Sequence, residues 1–520
     1  MRIVKPSTLR AATQHAAGKS LRAFGTQAQA LPGWFNRMLT TNEYNLPRLP
    51  VPQLGDTLER YLETIRPLVS EKEWAAHAEL VSAFEKEEGR KLQEFLLKRE
   101  LSQAMGKAYP FSYIEADWDK MYLGGRYESP INVNPAELEQ DKNQCMFSFA
   151  RQFGTAKIPN PDGKQLISQA ALEKRLDEIL NSTQKSDHDD LDISTLSAEN
   201  RDEWARIRDD LIAYDPVNEQ SLSTIDSALF VLVLEERSPA DAKNRMELAL
   251  HGKGSGRWFD KVQVMVQTDG HLTVNFEHSF SDGTSWNRWL HEVWHDMRGT
   301  SSGFSPLKEL PEFVDSSKPA KLNWKLSNNL VEDVKKAESN FAKFAGNLNT
   351  EFLEYTNFAK NECKKWKLSP DGVAQMALQL AFVPSTETQR ELFVTAVNRH
   401  VEMAKMAQKG LGVDRHLTAL SSIANDNGIE SAFLKSPVRA ASTNFQISSS
   451  NVTTPFLQYF NFGAVVPDGY GVGYLLQNDT INVSMTNFND SSITDGKKYK
   501  QALKESLDTI KALADATPAP

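Results

Sequence analysis

Only two cysteines, Cys145 and Cys363, occur in 520 residues. That excludes a disulfide framework and points to a reducing compartment. No stretch reaches the roughly 18 consecutive apolar residues that a membrane-spanning helix needs. Excess positive charge is missing too, with 59 Lys and Arg against 68 Asp and Glu and a net charge of −9. A nucleic-acid backbone demands a basic surface, so nucleic acid is not an expected partner, although a local basic pocket is compatible with this balance. Acidic residues are absent from the first 42 positions, which carry Arg2, Lys5, Arg10, Lys19, Arg22 and Arg37 before Glu43 appears. A positive, Ser- and Ala-rich leader of this kind reads as a mitochondrial transit peptide over residues 1–42. There is no HExxH pattern; His291 and His295 have helical i, i+4 spacing but read as solvated helix-face residues. The acidic segment 185–203, KSDHDDLDISTLSAENRDE, lacks the spaced ligands and glycine of a calcium loop and reads as a solvated loop.

What is present is ordinary in bulk: 40% apolar and 24% charged residues, in a length suited to one large two-lobed unit or to two or three domains. The most informative stretch is residues 257–296, RWFDKVQVMVQTDGHLTVNFEHSFSDGTSWNRWLHEVWHD. Val262–Thr268 reads as a strand, Asp269-Gly270 as a two-residue hairpin turn, and Leu272, Val274 and Phe276 alternate with His271, Thr273 and Asn275 along a returning strand. His278 falls where that strand ends, before a glycine-bearing turn and a Trp-rich helix from about Thr284. A histidine so placed can be held rigidly while facing a cleft, and Asp282 is spaced to fix its tautomer. By themselves these features also suit a structural histidine.

Other segments supply scaffold. The run LPRLPVPQL (46–54) must lie extended. Helices are expected over Thr57–Val69 and, after the capping box at Ser70–Glu73, through Phe84. IDSALFVLVLEE (225–236) reads as a central strand, 326–361 as a long polar helix, and Lys497–Leu513 as a closing amphipathic helix. In CKKWKLSPDGVAQMALQLAF (363–382), Ser369 can cap a helix with Pro370 at its first position. Lys364, Lys365 and Lys367 before it are either a solvated cluster or a phosphate-binding one.

Taken together, these segments resemble the choline/carnitine acyltransferases, from about Leu46 to the last helix. The carriers are NFEHSFSDG, DWDKMYLGGRYESPINVNP (117–135, with Tyr122, Arg126 and Asn132), DSALF, KLSPD, GLGVDRHLTAL (410–420), ASTNF (441–445) and FGAVVPDGYGVGYLL (462–476). The long-chain, mitochondrial inner-membrane branch is the nearest in pattern. The resemblance implies an α/β fold of the α+β type: a two-lobed coenzyme A-dependent acyltransferase with a mixed sheet and helices in each lobe and a tunnel between them. It implies lobes of 43–345 and 346–515, with a tail at 516–520. His278 matches the general base and Asp282 the residue that orients it. Lys364, Lys365, Lys367, Ser369 and Asp371 match the coenzyme A stretch. Arg415, Ser442, Thr443 and, through T-E-T-x-R, Thr386 match carnitine contacts. Ser442 and Asn444 stand at the oxyanion, Asn444 in place of the family's second serine; its amide can still donate. Acyl-coenzyme A and carnitine are the implied substrates, with no cofactor and no metal, in the mitochondrial matrix with a peripheral contact to the inner membrane.

One departure is large. The family carries T-Y-E-S and then G-R-T-[DE]-T-I-R after the helix ending QMALQLAF, whereas this chain passes from Phe382 directly to VPSTETQR. That leaves a second reading open: an acyl-coenzyme A-binding or acceptor-shifted relative with an incomplete carnitine site.

Overall fold

The computed structural model describes residues 48–106, 112–123, 135–139, 166–167, 169–181, 191–228, 230–252, 256–278, 283–297, 312–313, 320–382 and 390–516. The expected leader, Arg126, Asn132, Asp282 and Thr386 lie outside the described residues. Among those described, the strands are β1 (Ala136–Glu139), β2 (Leu166–Ile167), β3 (Val231–Glu235), β4 (Gln263–Gln267), β5 (Leu272–Asn275), β6 (Glu312–Phe313), β7 (Leu348–Tyr355), β8 (Ile447–Asn451), β9 (Leu457–Asn461), β10 (Tyr470–Leu476) and β11 (Ile481–Phe488). They form a five-stranded sheet in the order β3-β4-β5-β1-β9, a four-stranded sheet in the order β7-β11-β10-β8, and the pair β2-β6. Both large sheets are mixed: β3 runs parallel to β4 and β8 to β10, with the other pairings antiparallel. The expected class, mixed sheets flanked by helices, holds.

Several local expectations shift, each for a physical reason. The β4–β5 hairpin closes with a three-residue loop: Gly270 N donates to Gln267 O at 2.9 Å, and Gln267 pairs with His271. Thr268 and Asp269 make the turn, and Gly270 at φ 86° supplies the left-handed residue after it. The DSALF strand is shorter because the helix Pro216–Ser227 takes its first residues, and it lies half-buried at the sheet edge, paired only with β4 among the described residues. The expected helix over 326–361 stops at Asn347, and Leu348–Tyr355 becomes β7, paired along its whole length with β11. Ladder pairing there outweighs local helical propensity. The acidic 185–203 segment is not a solvated loop from 193 onward. Ile193–Ala198 is buried, with the Asp192 carboxylate accepting from Ser194 N at 3.1 Å and Gly256 N at 2.9 Å.

The capping box at Ser70 and Glu73 forms as the sequence requires, opening the helix Glu71–Lys86. That helix, with Leu54–Ile65 and Glu88–Gly106, packs Leu58, Tyr61, Phe84, Leu92 and Leu96 against Leu417, Leu420 and Phe433. The N-terminal helices thus share a core with Val413–Asp426, far along the chain, and β9 completes the sheet built from the first half. Two segments of the second half, Val413–Asp426 and β9, thus cross the 345/346 division to pack with the first. The second sheet is backed by Pro370–Phe382 and Gly496–Asp515, whose Tyr499, Leu503, Leu507 and Ile510 enter its core.

The two sheets meet where β9 crosses β10 and β11. Ser484 Oγ donates to Phe460 O, Thr486 Oγ1 to Phe462 O at 2.7 Å, and Asn482 Nδ2 to Gln458 O at 3.1 Å. Gly471 and Gly473 make this approach possible. A Cβ at Gly471 would lie 2.8 Å from Phe462 O, and one at Gly473 would overlap Phe460 O outright. Gly473→Ala is therefore expected to destabilise the fold by about 1–3 kcal/mol, the usual cost of overpacking. Gly346→Ala, at a helical position with nothing within 4 Å of the added methyl, is expected to stabilise by about 0.5–1 kcal/mol. Denaturant unfolding of both variants checks the opposite signs; an unchanged or raised midpoint for Gly473→Ala contradicts the close approach.

Candidate active site

His278 follows β5 by three residues and is partly buried. Its neighbour Glu277 turns away to Arg201, Oε1 to Nη2 3.3 Å, at 8% side-chain exposure. That ion pair anchors the strand end to the helix Arg201–Tyr214. The imidazole meets Tyr122: the phenol oxygen lies 3.1 Å from Nε2, and the rings contact edge-on with centroids 4.6 Å apart. Tyr122 rests on Trp118, centroids 4.7 Å apart, and the Arg415 guanidinium lies 5.4 Å over the Trp118 ring. One continuous ladder, Arg415–Trp118–Tyr122–His278, joins two residues 137 positions apart in the chain.

The ladder is held from below. Trp118 and Tyr122 sit on the short helix Glu115–Trp118 and the wide π-type turn Asp119–Leu123 that follows it. Wide turns of this kind recur where a side chain must be re-aimed at a functional centre. The Asp117 carboxylate accepts from Arg99 Nη2 at 2.5 Å and from Ser422 Oγ at 2.7 Å, tying this segment to the helices Glu88–Gly106 and Val413–Asp426. The sequence offered Trp118 and Tyr122 together in a W-x-x-x-Y segment, with packing at least as apt a role for Tyr122 as substrate contact; the approach of Tyr122 to His278 was not foreseen.

Arg415 is exposed at the first turn of Val413–Asp426, while the next residue, His416, is fully buried. Thr57 Oγ1 and Gln93 Oε1 lie 2.8 Å from its two ring nitrogens, so it bolts the Arg415 helix to the N-terminal helices. Asp414 accepts from Arg439 Nη2 at 3.3 Å. Arg439 in turn reaches Ser442: Nη1 donates to Oγ at 3.2 Å, and Oγ donates to Arg439 O at 2.7 Å. Thr443 Oγ1 donates to Ala440 O at 2.9 Å, and Asn444 is exposed. Ser442 and Thr443 are thus linked to the Arg415 helix through Arg439, a residue the sequence did not flag.

The lysine stretch forms a second group on the other sheet. Lys364, Lys365 and Lys367 are exposed, with Lys365 3.5 Å from Glu362. The helix Lys360–Lys365 ends with Leu368 N donating to Cys363 O and Lys367 N to Lys364 O, the crossed bonds of a left-handed C-cap. The left-handed residue is Lys367, at φ 58°, where glycine is usual. Ser369 caps Pro370–Phe382 as expected, accepting from Gly372 N at 3.2 Å. Asp371 is engaged by the fold: its carboxylate accepts from Tyr474 Oη at 2.6 Å and Asn451 Nδ2 at 3.4 Å, and pairs with His400 Nε2 at 3.3 Å. The hydrogen bond from His400, above all, holds that carboxyl below the usual range. Among the described residues no group of three or more His, Cys, Asp and Glu side chains is gathered as for a metal ion, and no helix is long and apolar enough to cross a membrane. Burial pushes the Cys363 thiol up to about 12, which removes it as a nucleophile.

The family model described as Choline/Carnitine o-acyltransferase matches residues 49–152, 151–385 and 382–505. Mitochondrial carnitine O-palmitoyltransferase 2 of Bos taurus is 25% identical over an alignment of 615 positions, covering 90% of this chain and 91% of the relative. Human carnitine O-acetyltransferase is 25% identical, covering 91% and 94%. The human muscle isoform of carnitine O-palmitoyltransferase 1 is 23% identical, covering 90% and 77%. The chain belongs to the choline/carnitine O-acyltransferase family. An alignment longer than the 520-residue chain means that the relatives carry segments without a counterpart here, and the family match breaks at 151–152 and again at 382–385.

The buried His416 has a consequence for stability. Burial, assisted by the Arg60 charge, pushes its pKa down to about 4. An unfolded histidine titrates near 6.5, so below that pH the unfolded chain binds a proton that the folded chain refuses. Stability is expected to fall as pH drops from about 6.5 to about 4, by up to about 3 kcal/mol, with no effect above that window. His416→Gln should flatten the dependence, checked by urea unfolding across that range.

Proposed function

We propose that this member of the choline/carnitine O-acyltransferase family transfers long-chain acyl groups between coenzyme A and carnitine, with His278 as general base. The observation that carries the proposal is the contact of Tyr122 with His278 Nε2 at 3.1 Å, on a ladder that ends at Arg415. The phenol oxygen marks where a substrate hydroxyl would meet the imidazole, and Arg415 offers a guanidinium for the carboxylate of the same acceptor. In the forward direction His278 takes the carnitine hydroxyl proton as that oxygen attacks the thioester carbonyl. A tetrahedral oxyanion forms near Ser442 and Asn444, then collapses, breaking the carbon–sulfur bond. The coenzyme A thiolate leaves and recovers the proton from the imidazolium. Asp282 orients the imidazole. Lys364, Lys365 and Lys367, followed by the cap at Ser369, supply charge for the nucleotide phosphates, while Asp371 fixes the helix start. The two substrates would approach along a tunnel between lobes of about 43–345 and 346–515. No cofactor or metal is called for. The names of the palmitoyltransferase relatives favour a long acyl chain, and that of the Bos taurus relative a mitochondrial location; we place the chain in the matrix with a peripheral contact to the inner membrane.

The gap after Phe382 bears on the acceptor. Thr386, Ser442 and Thr443 join Arg415 as the carnitine contacts, and one charged partner orients a carboxylate loosely. The deciding experiment measures coenzyme A release from palmitoyl-coenzyme A with and without carnitine. Release should depend on carnitine, with a high KM for it. His278→Ala should lose at least about 100-fold in rate, whereas Tyr122→Phe, which only clears the place of the substrate hydroxyl, should cost far less. Release indifferent to carnitine would favour an acceptor-shifted enzyme; His278→Ala retaining more than a hundredth of the rate removes the base assignment.

Lys367 allows a separate check. A lysine in the left-handed region costs about 1 kcal/mol, and strain of this size gathers at functional positions. Lys367→Gly should stabilise the fold slightly while raising the KM for acyl-coenzyme A, the rise shrinking at high salt. A stabilised variant with unchanged KM would leave the cation without a nucleotide role.

A further inference from the structure

The helix Gly283–Met297 carries His291 and His295 on one face. Their spacing alone suggested two solvated rings, but the structure packs them among aromatics. His291 lies 6.0 Å from the ring of Phe456, which is 1% exposed, and Trp294 meets His295 edge-on at 4.8 Å and Phe456 at 6.3 Å. Held by these neighbours, the imidazoles face each other with centroids 4.4 Å and Nε2 atoms 3.2 Å apart.

That separation has a second meaning. Two Zn–N bonds of about 2.0–2.1 Å at a tetrahedral angle place their nitrogens about 3.3–3.4 Å apart, and a right-angled pair about 2.9 Å apart. The observed 3.2 Å falls between these values. We propose that His291 and His295 form a two-histidine site for a divalent transition metal of the Zn²⁺ or Cu²⁺ class, with water completing the coordination. Imidazole nitrogen suits these ions, and Cu²⁺ binds the more tightly of the two. Both rings are partly exposed, so water and metal have access. Glu292, between them in sequence, is paired with Arg288 at 3.2 Å and does not supply a third ligand. A two-ligand site is exchangeable, and it takes no step in acyl transfer. What it would do is brace the helix that follows the His278 loop, making that element sensitive to free metal.

The test uses the full chain after chelator treatment and dialysis. Titration with CuSO₄ is followed by electron paramagnetic resonance and with ZnSO₄ by calorimetry and thermal unfolding. One equivalent of Cu²⁺ should show coupling to two nitrogens, and Zn²⁺ should raise the unfolding temperature. His291→Gln and His295→Gln, tested separately, should each cut the Cu²⁺ signal to one nitrogen and abolish the Zn²⁺-dependent rise. Metal binding of equal strength and the same nitrogen count in both variants, or no binding below millimolar metal, overturns the proposal. If one variant fails to fold, the nitrogen count in the unaltered chain and in the other variant still decides.

Discussion

The architecture depends on how closely β9 lies against β10 and β11. β9 belongs to the first sheet through β1, and β1 pairs with β5, the strand that runs out to His278. β10 belongs to the second sheet, where Tyr474 donates to Asp371 at the start of the helix behind the lysine stretch. The distance between the proposed base and the proposed nucleotide region is therefore set through a few backbone carbonyls of β9. Hydroxyls from β11 satisfy those carbonyls, and two glycines of β10 make room for them. Hydrogen bonds of this kind contribute only about 1 kcal/mol each, but a buried carbonyl left without a donor costs more. The seam is specified more by what it forbids than by what it gains.

A second constraint operates across the same gap. The ladder from Arg415 to His278 consists of ring contacts, which tolerate some sliding, yet the residues next to Trp118, Arg415 and His278 in the chain are held by directional bonds. Asp117 binds Arg99 and Ser422, His416 binds Thr57 and Gln93, and Glu277 binds Arg201. The ties to Ser422, Thr57 and Gln93 join segments far apart in the chain. The N-terminal helices are in this sense part of the active-site floor, although they carry none of the proposed chemistry.

The fold was legible where a local signal and the tertiary outcome agree. The Ser70 capping box, the Ser369-Pro370 helix start and the β4–β5 hairpin all appear, because turn and cap chemistry acts over three or four residues. It was illegible where a distant partner decides. β7 was read as helix since its pairing with β11 lies 130 residues away, and the edge position of β3 depends on sheet order rather than on its own apolar run. In the site, His278, Arg415 and the Trp118–Tyr122 segment were visible as residues, but the contacts that connect them were not. Their meeting is a property of packing, and the W-x-x-x-Y spacing hinted only at the stacking of its own two rings.

The lysine stretch shows why residue type and conformation must be read together. A left-handed C-cap asks for glycine, and the sequence places Lys367 there, between a Cys363 that is buried and a Ser369 that caps the next helix. The two helices meeting at this point leave no room to move the strained position by one residue: the crossed bonds fix it from one side and the Ser369 cap from the other. A cation is therefore retained at the one place in the turn where the backbone disfavours any side chain. Solubility alone would not require it, since Lys364 and Lys365 already stand exposed a few residues earlier. The strain is intelligible if the ammonium group must project from that position toward an anionic ligand.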